Sequence, residues 1–163
     1  MRVFLDANVL FSAAYGNHSP LRGFFRLAEM GICELLASPF ALDEARRNIA
    51  RKHSAKAADL EHLIAHVAIC LEAGAETVRW ARSAGLPAKD APILAVAVQA
   101  KADILVTGDR AHFGGLYART LRRLEILPPR AALERILATA RADAGRAGKP
   151  RRHRRKDDGS PPR

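Results

Sequence analysis

Short uninterrupted apolar runs alternate along the chain with stretches whose apolar residues recur every three or four positions, a pattern that predicts strands and helices in turn. Arg2 to Leu5 reads as a first strand, and Asn8 to Ala14 as the start of a helix. Ser19-Pro20 offers an N-cap with Pro at the first helical position, opening a helix through Phe24, Phe25 and Leu27 that Gly31 ends. Cys33 to Ala37 predicts the second strand. Ser38-Pro39 repeats the cap signature ahead of a helix that carries Glu44 and Ile49 to about Lys52.

Residues 54 to 73 read as one further helix, with Leu60, Leu63, Ile64, Val67, Ile69 and Leu71 on or near one face. Thr77 to Trp80 reads as a short strand and Gly85-Leu86-Pro87 as a loop. Asp90 heads a helix through Ile93, Leu94, Val96 and Ala97, and Ile104 to Val106 follows as a strand apolar at every position, as in one covered on both faces. Leu124 to Leu127 reads as the last strand, followed by Pro128-Pro129 and a helix to about Thr139. This order predicts a three-layer α/β/α sandwich around a central parallel sheet. In such sheets ligands bind at the carboxyl ends of the strands, near the point where strand order reverses.

Asp6 breaks this pattern. It stands between the apolar runs Val3 to Leu5 and Val9 to Phe11, where a buried, unpaired carboxylate costs several kcal/mol or takes up a proton. Asp109 follows the Ile104 to Val106 strand through Thr107-Gly108 and should emerge on the same sheet edge as Asp6. Asp90 heads the helix before that strand, and Glu44 lies about one turn into the helix after the second strand. Individually, Asp90 is a fair N-cap, Glu44 an ordinary solvated residue and Asp109 a turn former. Together, four carboxylates in one cleft repel and stay ionised only if a cation joins them. Hard oxygen ligands select Mg²⁺ or Mn²⁺, and such a site suits metal-dependent phosphodiester hydrolysis.

Charge adds a partner class. The formal net charge of the 163 residues is +10, which invites a polyanion. Residues 141–163 hold nine Lys or Arg against three Asp, with few apolar residues, and read as a disordered basic tail on a domain of residues 1–140. The tail fits either solubilisation or nucleic-acid tethering. Cys33 and Cys70 form no ligand-spaced pair, and no apolar run approaches the roughly 20 residues of a membrane span. These features predict a cytoplasmic protein without a membrane segment.

At these residues the sequence resembles the PIN-domain family, in particular the VapC-like toxin ribonucleases of prokaryotic toxin-antitoxin modules. The matching stretches are VFLDANVLFSA, SPFALDEARRNI and KDAPILAVAVQAKADILVTGDRAHF, in order over roughly residues 2 to 130. The resemblance implies endoribonuclease activity with Mg²⁺ or Mn²⁺ held by Asp6, Glu44, Asp90 and Asp109. It makes Asn8 and the Thr107 hydroxyl supports of that cluster. It also implies an RNA substrate, a cognate antitoxin and commonly a homodimer. Many relatives carry a further acid after Thr-Gly-Asp, where this chain has Arg110, Ala111 and His112, so one or two metal ions both stand open. His112, beside Phe113, reads as structural, with contact to a phosphate or the leaving group as the alternative. Arg46, Arg47 and Arg51 after Glu44, and Arg110 after Asp109, are candidates to hold the substrate backbone, against the plainer reading of surface arginines.

Two other readings fit parts of the pattern. A haloacid-dehalogenase-like phosphatase also begins with a strand ending in Asp, but needs a second Asp two residues later as general acid, and Asn8 cannot give and recover that proton. A catalytically inactive PIN-fold RNA- or partner-binding protein fits the basic tail equally well, yet would have little reason to keep a repulsive acidic cluster.

Overall fold

The computed structural model describes residues 1–147. Its first strand, β1 (Arg2–Leu5), leads into α1 (Ala7–Tyr15) and α2 (Arg22–Glu29), then β2 (Glu34–Ala37), α3 (Pro39–Lys52) and α4 (Ala57–Ile64). There follow β3 (Val67–Ile69), α5 (Ala75–Ser83), α6 (Ala91–Gln99), β4 (Ile104–Val106) and the four-residue α7 (Arg110–Phe113). A hairpin of β5 (Thr120–Leu121) and β6 (Leu124–Leu127) and the long α8 (Pro129–Ala147) complete the chain.

The sheet order is β3-β2-β1-β4-β6-β5, parallel throughout except for the antiparallel β5–β6 pair. Connections from β1 to β2 and β3 step one way and those to β4 and β6 the other, so right-handed crossovers put helices on both faces. The strand order therefore reverses between β1 and β4. Helices α1, α3 and α4 pack on one another, and α5 packs on α6. Both central strands are buried on both faces: Val3, Phe4, Leu5, Leu105 and Val106 have no exposed surface and Ile104 almost none. That explains their unbroken apolar runs.

The expected α/β/α sandwich is present, but several elements differ from the sequence reading. Thr77 to Trp80 is helical, within α5, because its apolar residues serve a helix face: Val78 is part-buried and Ala81, three residues on, has no exposed surface. The single helix expected over residues 54 to 73 is instead a 3₁₀ turn, α4 and the edge strand β3. Leu60, Leu63 and Ile64 supply the buried stripe of α4, whereas Ile69 and Leu71 are 63% and 86% exposed. Pairing of Val67–Ile69 with β2 prevails over local helical periodicity there.

Helix α2 begins at Arg22, two residues later than the Ser19-Pro20 signature predicts, because Ser19 and Pro20 form a turn in which the Leu21 N–H donates to Ser19 Oγ; it ends at Glu29, and Gly31 just beyond, at φ +70°, stops it as expected. The β5–β6 hairpin turns through Arg122 and Arg123, both at positive φ (49° and 74°), a conformation usually signalled by Asn or Gly. Helix α8 runs past Thr139 to Ala147, so residues 141–147 are helical where composition predicted a disordered tail. Alanine and arginine are strong enough helix formers to extend an exposed helix. The remainder of that predicted tail, residues 148–163, lies outside the described residues.

Candidate active site

The site forms where β1 and β4 end side by side. Leu5 pairs with Val106, and the Asp6 N–H donates to the Val106 carbonyl (3.1 Å), which sets Asp6 against Thr107. Thr107 is held by its backbone too: its N–H donates to the Leu127 carbonyl (3.2 Å) and its own carbonyl accepts from Tyr117 Oη (3.0 Å).

Asp6 is only 7% exposed. Its Oδ1 accepts the Ala7 N–H (2.7 Å), and its Oδ2 accepts from Thr107 Oγ1 (2.6 Å) and Asn8 Nδ2 (2.6 Å). Burial nevertheless pushes its pKa up to about 6 from 3.8. The hydrogen bonds from Thr107 and Ala7 oppose that rise and the charge of Glu44 adds to it. Asn8 also ties the two strand ends together, since its Oδ1 accepts the Gly108 N–H (2.8 Å). A Cβ on Gly108 would come within 3.2 Å of that same oxygen, so a larger residue would press on the bridge. With its amide spent on Asp6 and Gly108, Asn8 has a positioning part and no proton to give.

Asp109 caps α7: its Oδ1 accepts the N–H groups of Ala111 (3.0 Å) and His112 (3.1 Å). Its Oδ2 accepts from His112 Nδ1 at 2.6 Å. Burial raises the Asp109 pKa, but the bonds and charge of His112 with the Ala111 N–H outweigh it and hold the carboxyl below its usual value. Asp90 sits at the head of α6 without capping it through its side chain. Its Oδ2 is buried and makes no well-formed hydrogen bond, although His112 Nδ1 lies 3.2 Å away. Burial raises the Asp90 pKa against the lowering influence of His112.

One cleft of about 850 Å³ is lined by all four acids, Asp6, Glu44, Asp90 and Asp109. Ligand atoms of Asp90, Asp109 and His112 lie within 4.8 Å of one another, close enough to share an ion. The structural part expected for His112 is therefore incomplete, since its Nδ1 stands between two acids of the cluster. The signal for it is its place three residues after Asp109, one helical turn on. Of the candidate arginines, Arg47 and Arg51 line the cleft, joined by Lys89, but Arg46 does not. Arg46 points to α4, where it pairs with Glu61 (2.8 and 3.0 Å), and it also reaches Asp43 (3.4 Å). Arg110 is exposed and outside the cleft lining.

A parallel α/β sandwich with an acidic cluster at its switch point defines the class. The chain belongs to the PIN-domain family, whose pattern residues 2–111 match. Among solved structures it is similar to PAE2754 from Pyrobaculum aerophilum (TM-score 0.61, 18% identity, covering 85% of this chain and 96% of that one). It is also similar to VapBC2 from Rickettsia felis, solved bound to a promoter DNA fragment (0.56, 16%, 78% and 98%). A third is VapC20 of Mycobacterium tuberculosis, described as a sarcin-ricin loop cleaving toxin (0.51, 14%, 74% and 97%). At these identities the likeness concerns the fold. No curated protein matches the chain. No helix among the described residues is long and apolar enough to cross a membrane.

The Thr107 hydroxyl can be tested separately from catalysis. Thr107→Val keeps the shape but removes one of the donors that holds Asp6 ionised, so the Asp6 pKa should rise further. Metal-free protein should lose about 1–3 kcal/mol at pH 7 and less near pH 4, where Asp6 is protonated in both proteins. Chemical denaturation of parent and variant at the two pH values checks this; equal losses at both would show that the hydroxyl does not act through the carboxylate.

Proposed function

We propose that this protein is a divalent-metal-dependent endoribonuclease, with Asp6, Glu44, Asp90 and Asp109 as its catalytic and metal-binding residues, acting as the toxin of a toxin-antitoxin module. The observation that carries the reading is convergence: four acids from four separate segments line one cleft at the sheet's switch point. The donor set fits a hard divalent cation. A buried carboxylate oxygen of Asp90 lacks a well-formed hydrogen bond, and Glu44 adds to the rise of the Asp6 pKa that burial begins. Both are charges that a cation would balance. Oxygen-rich ligands favour Mg²⁺ or Mn²⁺. Bound there, such an ion supplies a water of lowered pKa and offsets charge on the departing oxygen.

The chain's own residues do the positioning. Thr107 and Asn8 fix the Asp6 carboxylate, and His112 fixes Asp109 against Asp90. Arg47, on the cleft wall beside Glu44, is placed to hold a phosphate of the RNA backbone. The natural partners in this reading are RNA, a cognate antitoxin that covers the acidic cleft, and a second copy of the chain. The setting is the cytoplasm.

Incubation of the purified protein with a mixed RNA pool tests the activity. Cleavage should occur with Mg²⁺ or Mn²⁺ and cease in excess EDTA, with sequenced ends clustering at defined positions. RNA left intact under every metal condition would refute the reading, and binding without cleavage would favour an inactive PIN-fold binder.

A further inference from the structure

Helices α1 and α3 pack side by side, and each presents one face to the cleft. From α1 come Asn8 and Ser12, and from α3 Glu44, Arg47 and Arg51. Helical spacing puts Phe11 and Tyr15 on the same face of α1 as Asn8 and Ser12. Seven residues at 1.5 Å rise separate Asn8 from Tyr15, or about 10 Å along the helix.

At that outer end lies an aromatic shelf. The Tyr15 ring is 4.1 Å from the His53 ring and lies almost parallel to Phe11, with 6° between planes and 6.1 Å between centroids. Lys52 Nζ stands 5.4 Å from the Phe11 centroid. Tyr15 remains 51% exposed, so part of its surface is open to a further partner. The adjoining wall is cationic. Among the described residues Arg47 and Arg51 make no ion pair, in contrast to Arg46; Arg51 only donates to Asn48 Oδ1 at 3.3 Å. The cleft thus runs from an acidic end to uncommitted guanidinium groups; its lining stops at Ser12 and Arg51, and Tyr15 and His53 come next at the ends of the same two helices. That sequence of chemistry suits a single strand, whose phosphates pair with the arginines and whose bases offer a π-face.

We infer that the groove between α1 and α3 is a track for single-stranded RNA, and that Tyr15, backed by His53 and Phe11, stacks one base about three stacked nucleotides from the acidic cluster. The inference rests on the ribonuclease reading above and adds to it a binding subsite away from the acids. A base on the shelf fixes the register of the strand, so Tyr15 is a positioning residue whose effect is on where the RNA sits.

The test is an abasic scan. A fluorescently labelled single-stranded RNA carries one abasic nucleotide at successive positions, and binding is measured in EDTA, where no cleavage occurs. The parent should lose roughly tenfold in affinity at one position and little elsewhere. Tyr15→Ala should bind the intact RNA roughly tenfold more weakly and show a flat scan, while Tyr15→Phe, which keeps the ring, should restore both affinity and profile. Thermal melts of the three proteins establish that the variants fold. A flat scan in the parent, or a Tyr15→Ala protein that keeps the parent profile, overturns the shelf, including the case in which a protein partner is what covers Tyr15. If the parent cuts RNA with metal yet gives the flat scan, only this inference falls. If it neither binds nor cuts single-stranded RNA, the ribonuclease reading falls with it.

Discussion

Asp6→Asn is expected to slow RNA cleavage by a factor on the order of 10³ while removing a pH-dependent weakness from the metal-free fold. The two effects have one cause. Burial holds the Asp6 pKa at about 6 in the folded protein, against 3.8 for an ordinary aspartate. Between those values the folded state binds more protons than the unfolded state, so this group's contribution is most favourable below about pH 4 and is lost as pH rises through 6. A shift of that size corresponds to about 3 kcal/mol. The amide has no such titration, so the stability difference between variant and parent in EDTA should move by up to that amount in the variant's favour from pH 4 to pH 7. Part of the absolute gain is offset, because an amide whose oxygen keeps the Asn8 and Thr107 bonds turns its NH₂ toward the Ala7 N–H, which the second carboxylate oxygen accepts in the parent. Urea unfolding at the two pH values, paired with a cleavage assay, measures both effects. A pH-independent difference would mean that Asp6 is not the strained group described here.

Phe4→Ala should have the largest effect on stability, about 3–5 kcal/mol. Phe4 lies at the centre of β1, between Leu36 of β2 and Leu105 of β4 in the sheet register, and has no exposed surface. A cavity there cannot collapse easily, since strands pair on both sides. Because β1 also delivers Asp6, loosening it should separate the acids along with the core. Denaturant unfolding reads the stability, and a loss below about 1 kcal/mol would show that the strand repacks.

The sequence exposed most of what positions the site because the governing signals were local. The apolar runs Val3–Leu5 of β1 and Ile104–Val106 of β4 are each followed at once by a polar residue, Asp6 and Thr107, and Ser38 caps α3 as its Ser-Pro signature predicts, accepting the Ala41 N–H at 3.1 Å. These signals direct the four acids toward one sheet edge, and the resemblance to the PIN-domain family adds Asn8 and Thr107 as their supports. What stayed hidden depended on tertiary context. Val67–Ile69 has the look of a continuing helix until β2 offers it an edge to pair with. Arg46 and Arg47 are neighbours in sequence, and only the docking of α4 shows that Glu61 engages the first while the second faces the cleft. His112 needed the short α7, which turns its imidazole back between Asp90 and Asp109.

The central claim is that the four acids act as one unit at one site. Its most direct measurement compares cleavage of a single mapped RNA substrate by the parent and by Asp6→Asn, Glu44→Gln, Asp90→Asn and Asp109→Asn across a Mn²⁺ titration, with thermal melts to confirm folding. All four variants should remain folded and lose cleavage by a factor of about 10² or more at limiting metal. A folded variant of any of the four that cuts at the parent rate and with the parent's metal dependence would contradict the claim.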